Sequence, residues 1–195
     1  FSINKKEQWI SNIFSRKITH LLRSRHDGII STSKSINCDN ALLNCRIEGL
    51  NKYKPDLFII DLNLKLKKNL LLNKLLKKRK TYLITYKTNV KKAQIYKKKG
   101  YKIIYIDSLI NRNDFNLLYR KIYKMGYSRM LVETGLTFLN NLIKKRLIND
   151  LYIFKTNFNL KKKGKNNATF KYLKNISLKP ISINLNDDKL YKKEF

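Results

Sequence analysis

Three clusters of residues in this 195-residue chain have the types and spacing to do chemistry. In S-R-K-I-T-H-L-L-R, residues 15–23, Arg16, His20 and Arg23 recur at i, i+4 and i+7, which on a helix sets them along one face. Cations stacked this way repel unless an anion lies between them. A solvated basic face is the other reading, and it suits Arg16 best. Arg23 stands just before a turn into an apolar run, where a guanidinium can reach the cleft at a strand's edge. The second cluster lies in residues 33–46, S-K-S-I-N-C-D-N-A-L-L-N-C-R, which carry neither a helical nor a strand period yet hold Ser35, Asp39, Asn40 and Arg46. Ordered loops beside a parallel sheet are where ligands are held, although Asp39 and Asn40 serve equally well as turn formers. Arg46 and Arg23 together could grip one phosphate through paired N–H donors. The third cluster is V-E-T-G-L-T-F, residues 132–138, where a strand ends at Glu133 and a helix opens after Gly135. A glycine there lets backbone approach a phosphate at the positive helix end, and a carboxylate at a strand's carboxyl end lines the crevice of an open sheet.

The elements that must position these groups alternate along the chain. Residues 11–25 read as a helix with Ser11 at its N-cap and Ile13, Phe14, Ile18, Leu21 and Leu22 as its apolar stripe. Residues 28–32 read as a strand, and 56–62 (D-L-F-I-I-D-L), 81–86 (T-Y-L-I-T-Y) and 101–106 (Y-K-I-I-Y-I) as strands covered on both faces, because they are apolar at nearly every position. Residues 114–124 are a helix, 128–133 a strand, 136–147 a helix and 150–155 a strand. A lysine- and asparagine-rich loop at 157–168 precedes strand candidates at 169–173 and 181–185, and residues 186–195 read as a frayed tail. With no Pro/Gly/Ser linker and no repeat, the whole of residues 1–195 reads as one α/β domain around a mostly parallel sheet.

Composition narrows the function classes less than its extremity suggests. The formal net charge is +31, from 44 Lys+Arg against 13 Asp+Glu, which alone would point to nucleic acid. Lysine, asparagine and isoleucine rise together while alanine, glycine and proline are scarce, as A/T-rich codon usage dictates, and the lysines scatter over different elements. A solvated surface follows better than a polyanion groove. His20, His26, Cys38 and Cys45 share one window, but their spacing matches no zinc pattern. Two cysteines make no disulfide framework, and no apolar run is of spanning length, so a reducing cytoplasm is the expected location and no membrane is expected as a partner.

Taken in order, the clusters resemble the reductase domain of riboflavin biosynthesis, the C-terminal half of the bifunctional pyrimidine deaminase/reductase. Trp9, Ser15-Arg16, His20, Leu22-Arg23, Asp27-Gly28-Ile29, Asp39-Asn40, Leu43, Arg46 and Val132-Glu133 with Gly135 match that family's motifs, and L-I-N-D-L-Y-I-F at 147–154 resembles a later strand. The resemblance implies a dihydrofolate-reductase-like α/β three-layer sandwich that binds NADPH and reduces a phosphorylated ribosylaminopyrimidine to its ribityl form. It implies substrate contacts at Arg23, Leu43, Arg46 and Glu133, and cofactor contacts at Trp9, Ser35, Asp39, Gly135, Leu136 and Thr137. Asp39 and Glu133 are the carboxylates it places nearest the reaction, no metal is implied, and a homodimer is.

The chain also departs from the family. It begins after the family's first strand, K-x-A-x-S-x-D-G, so that strand and a zinc deaminase are expected upstream. Glu7 stands in place of serine, Thr134 in place of the first glycine of V-E-G-G, and Ala41 in place of the proline after D-N. A catalytically degenerate paralogue is therefore one alternative, and a basic nucleic-acid-binding module, whose 12 Tyr and 9 Phe would stack bases, is another.

Overall fold

A computed structural model describes residues 10–50, 52, 54–157 and 176–195. The chain divides into two compact units, His20–Gly135 and a second made of Phe1–Thr19 with Leu136–Phe195.

In the His20–Gly135 unit, five strands form one wholly parallel sheet: β1 (Gly28–Thr32), β2 (Asp56–Ile60), β3 (Thr81–Tyr86), β4 (Lys102–Ile106) and β5 (Met130–Val132), in spatial order β4-β3-β2-β1-β5. The mostly parallel sheet expected from sequence is therefore present. β2 and β3 are buried at almost every position, which is why their sequences show no alternation. On one face Ile29, Leu57, Ile59 and Leu83 join a core cluster with Ile36, Leu43, Leu66 and Leu72. Phe58 stacks on Tyr82 with ring centroids 4.5 Å apart, and Tyr127 meets Phe58 edge-on at 4.9 Å. Gly28 is small for a packing reason, since a Cβ there would lie 2.8 Å from Met130 Cε and 3.0 Å from the Phe58 ring. Helix α4 (Arg112–Lys124) buries Phe115, Leu118 and Ile122 along one stripe and opens with a capping box between Asn111 and Asp114. Helix α3 (Val90–Lys98) precedes β4.

The strand order fixes where a site can form. From β1 the chain steps outward through β2 and β3 to β4, then returns to the opposite side of β1 as β5. That reversal is a topological switch point, and the crevice at the carboxyl ends of β1 and β5 is where open α/β sheets hold ligands.

One expectation for this unit is corrected. Residues 33–46 are not irregular throughout, because Ser33–Asp39 form helix α2. Its end groups define it rather than a period. Thr32 caps it by accepting the Ser35 N–H, Asn40 ends it in the left-handed region at φ 46°, and Ile36 is its one buried apolar residue.

Helix α1 (Ile13–Ser24), whose residues up to Thr19 belong to the second unit and whose last turn belongs to the first, begins at Asn12 rather than Ser11. The Asn12 Oδ1 accepts the Ser15 N–H at 2.9 Å. Ile13 and Phe14 of the expected stripe are exposed. Helix α5 spans Leu136–Lys144, and β6 (Asp150–Lys155), β7 (Lys179–Pro180) and β8 (Lys189–Glu194) form an antiparallel sheet in the order β6-β8-β7. The expected frayed tail is thus largely a strand, paired with β6 from Asp150–Glu194 to Lys155–Lys189. Leu190 is buried, and Asp188, only 4 % exposed, accepts the Asn12 N–H and the Ser15 hydroxyl. Residues 181–185 form no strand beyond an isolated bridge at Leu185, and the candidate at 169–173 lies outside the described residues.

Candidate functional site

The crevice of the parallel sheet is built by the last turn of α1, the loop after α2 and the residues following β5. Arg23 meets Glu133 as a fork: its Nε donates to Oε2 at 2.9 Å and its Nη2 to Oε1 at 2.5 Å. The two side chains are 11 % and 31 % exposed, so the pair is shielded from bulk water. Arg23 Nη1 donates to the Asn44 carbonyl at 3.0 Å, which occupies all three guanidinium nitrogens.

His20, one turn before Arg23, aims Nδ1 at the same loop. That nitrogen lies 3.2 Å from the Arg46 N–H, 3.5 Å from Arg23 Nη1 and 3.0 Å from the Asn44 carbonyl. The Asn44 carbonyl can accept only from a protonated Nδ1 and the Arg46 N–H can donate only to an unprotonated one, so the tautomer decides which of the two contacts forms. Burial lowers the His20 pKa from its ordinary value, and the fields of Arg23 and Arg46 lower it further against the opposing Asn44 carbonyl and Glu133. Both arginines therefore act electrostatically on one imidazole. Arg46 itself is exposed, and it makes no ion pair among the described residues.

Leu43, expected at the substrate, has its side chain in the core cluster and a backbone φ of +49°. Asn44 is buried, and its Oδ1 has no hydrogen-bond partner. Asn40 is a structural residue whose Oδ1 accepts the Leu71 N–H at 2.9 Å. Arg16 turns its Nη1 to the Ser11 carbonyl at 3.0 Å.

At the ends of β1 and β5 the hydroxyls of Thr32, Ser35 and Thr134 gather within 3.0–3.3 Å of one another, and Ser35 Oγ accepts the Gly135 N–H at 3.0 Å. A Cβ on Gly135 would sit 3.5 Å from Ser35 Oγ, an ordinary contact, so packing does not demand glycine there. Asp39 lies four residues after Ser35 on the same face of α2, is exposed, and makes no hydrogen bond or ion pair among the described residues. Leu136 and Thr137 open α5, and Trp9 and Glu7 lie outside the described residues.

Among the described residues no three His, Cys, Asp or Glu side chains are placed to hold a metal, and no helix is long and apolar enough to cross a membrane. His26 contacts the Leu22 carbonyl through Nδ1, Cys38 is exposed and Cys45 is buried.

Sequence reasoning passed over Arg79. It is 6 % exposed and donates to the carbonyls of Leu42, Leu43 and Pro55. The signal was present, since arginine interrupts a lysine run in K-K-R-K at 77–80.

A parallel sheet with a switch point between β1 and β5, carrying an arginine–carboxylate fork at that point, defines an open α/β protein, the class in which ligands are held at the strand ends. The chain belongs to the RibD C-terminal domain family, whose model matches residues 2–156. Among solved structures it is similar to RibD of Acinetobacter baumannii, with 18 % identity and TM-score 0.72 over 96 % of this chain and 51 % of that one. It is also similar to the riboflavin biosynthesis reductase Rib7 of Saccharomyces cerevisiae, with 18 % identity and TM-score 0.69 over 93 % of this chain and 81 % of that one. A pyrimidine reductase-like protein of Corynebacterium diphtheriae gives 12 % identity and TM-score 0.69 over 95 % and 82 %. The chain spans about half the length of the RibD structures it matches. Comparison with curated proteins gives no match. At these identities the structural likenesses establish the dihydrofolate-reductase-like α/β fold, and the family match agrees with the motifs read from the sequence.

Proposed function

We propose that the protein reduces 5-amino-6-(5-phosphoribosylamino)uracil to its ribitylamino product with NADPH, as a riboflavin-pathway reductase. The observation that carries this reading is the Arg23–Glu133 fork beside His20 and Arg46 at the switch point. An anionic sugar phosphate fits there because Arg46 offers an exposed guanidinium with no carboxylate against it, while Arg23 and a neutral His20 fix the loop that carries it. Glu133 presents acceptor oxygens for a heterocycle's N–H groups.

The residues present also suit a dinucleotide. The hydroxyls of Thr32, Ser35 and Thr134 and the backbone at Gly135 can serve phosphate oxygens, and the nearby carboxylate, Glu133, is engaged by Arg23. On this reading Ser35, Asp39, Gly135, Leu136, Thr137 and Trp9 hold the cofactor, and Arg23, Leu43, Arg46 and Glu133 hold the substrate, Leu43 through its backbone. The reduced nicotinamide, when bound, supplies a hydride. Asp39, an exposed carboxylate without a side-chain partner among the described residues, is the group of this site placed to exchange a proton with solvent. Family membership also favours a homodimer, a cytoplasmic location and fusion to an upstream deaminase.

Thr134 for glycine does not argue for a degenerate site, because its hydroxyl joins the Thr32–Ser35 cluster. For the nucleic-acid reading, Phe58, Tyr82, Tyr96, Tyr101, Phe115 and Tyr127 are buried and serve the core, while Phe14, Tyr123 and Phe195 are exposed.

Reduced-nicotinamide absorbance, followed with protein, NADPH and the ribosylaminopyrimidine phosphate, tests the proposal. Consumption should require all three, and inorganic phosphate should compete with the substrate and not with NADPH. No consumption, together with no saturable change in the fluorescence of Trp9, the only tryptophan, would refute it.

A further inference from the structure

Arg79 precedes β3 and belongs to none of the three clusters that marked the site. A guanidinium so deeply buried ordinarily has a carboxylate against it. Arg79 has no ion pair among the described residues, and its donors go to main-chain carbonyls instead. Nη1 donates to Leu43 O at 2.5 Å and to Pro55 O at 3.4 Å, Nη2 donates to Leu42 O, and Nε is buried without a partner. The cost of that burial shows in a pKa drawn down to about 10, through desolvation first and then the field of Arg23, with Asp56 opposing.

Leu43 is where this expenditure acts. Its φ of +49° is unfavourable for a residue with a Cβ and persists only where the surroundings hold it. With Leu43 in that conformation, the carbonyl before it and its own both turn to one guanidinium. The next groups along the loop are pinned from the other side, Asn44 O by Arg23 Nη1 and the Arg46 N–H by His20.

We propose that Arg79 is a positioning residue for the substrate loop: by clamping the carbonyls of Leu42 and Leu43 it sets the left-handed turn that delivers Asn44 and Arg46 to the site. The inference rests on the reading of that loop as the substrate's. The clamp requires arginine, because a planar fork meets two carbonyls at fixed spacing and an ammonium is a single point.

Arg79→Ala and Arg79→Lys test it, the second serving where the first does not fold. Two measurements apply: steady-state kinetics, and hydrogen exchange of residues 42–46 in the protein without ligands. Both variants should exchange the Arg46 amide faster while the amides of β2 and β3 keep their protection. Substrate KM should rise at least about tenfold, with kcat and the NADPH KM nearly unchanged. Millimolar guanidinium ion should restore substrate KM in Arg79→Ala, a rescue that a merely structural role would not give. Unchanged exchange at 42–46 overturns the inference whether or not the protein turns over, as does equal loss of substrate and cofactor. Absence of turnover in the unsubstituted protein, with the exchange result as expected, removes the functional reading and leaves the clamp.

Discussion

The Arg23–Glu133 pair should be strongly coupled, and its worth can be estimated from its geometry. Two charges about 4 Å apart at an effective dielectric of about 20 attract by about 4 kcal/mol. Desolvation opposes this, because Arg23 is 11 % and Glu133 31 % exposed. Charge-assisted hydrogen bonds net about 1.5–3 kcal/mol each way of counting, so a coupling near 2 kcal/mol is expected. Glu133→Gln keeps the shape, loses the charge, and leaves a mostly buried guanidinium unpaired. Its stability should fall by about 2 kcal/mol, which for a chain of this length lowers Tm by about 4–8 °C. A double-mutant cycle with Arg23→Met, read from urea midpoints at constant m, isolates the pairwise energy. Inorganic phosphate should then stabilise Glu133→Gln more than the unsubstituted protein, because an anion can replace the missing carboxylate. A coupling below about 0.5 kcal/mol would show that water screens the fork and that Glu133 does not hold Arg23.

Three further outcomes are expected. Arg46→Ala should raise substrate KM about thirtyfold, the equivalent of about 2 kcal/mol for a charge-assisted phosphate contact, and leave NADPH binding unchanged; equal loss of both contradicts the assignment. By NMR, the His20 ring should titrate below its ordinary 6.5, and its midpoint should rise on adding phosphate as the arginine fields are neutralised. Because folding depresses that pKa, His20 contributes stability above 6.5 that is lost as pH falls through the folded midpoint, and a midpoint at or above 6.5 contradicts the loop geometry. Asp27→Ala should cost about 2 kcal/mol by urea titration, since one carboxylate oxygen accepts Ser128 N, Arg129 N and Ser128 Oγ at 2.7–3.0 Å. Those bonds hold the Asp27 pKa below 3.8, the Arg129 N–H contributing most, so its contribution stands above 3.8 and fades in stronger acid; a neutral substitution effect would refute it.

Strands whose burial is total announced themselves. β1 and β3 have the bounds read from the sequence, and β2 is two residues shorter, because a run such as T-Y-L-I-T-Y has no solvent face to interrupt it; β6 keeps its bounds although it is exposed at both ends. Elements made by end groups stayed hidden. Helix α2 is seven residues held by Thr32 and Asn40, too short for a period, and β8 reads K-L-Y-K-K-E, where lysines mask the alternation that buries Leu190. At the site, Arg23, Arg46 and Glu133 stood out by type and place. Their mutual arrangement did not, since the fork joins residues 110 apart in sequence. At Leu43 the residue type was legible but not the backbone: its side chain joins the core while its φ of +49° turns the loop.

The scarcity of acid in this chain gives its carboxylates their meaning. With 13 Asp and Glu against 44 Lys and Arg, lysine partners are everywhere, yet the buried and half-buried acids mostly accept from backbone amides and hydroxyls. Asp61 takes Ser33 Oγ and the Lys65 and Leu66 amides, Asp56 takes Lys80 N and the Tyr127 hydroxyl, and Asp188 takes Asn12 N and Ser15 Oγ. The ion pairs with lysine, such as Lys87–Asp107, sit on the surface, where water and salt leave them little worth. Glu133 breaks this rule by giving both oxygens to a guanidinium, whereas Asp39, like Glu48 and Asp187, is exposed and has no side-chain partner among the described residues. Acids that serve folding are satisfied by the backbone. Glu133 follows β5 and Asp39 ends the helix that follows β1, which is the placement expected if one orients a cation for an anionic ligand and the other is left open to exchange a proton.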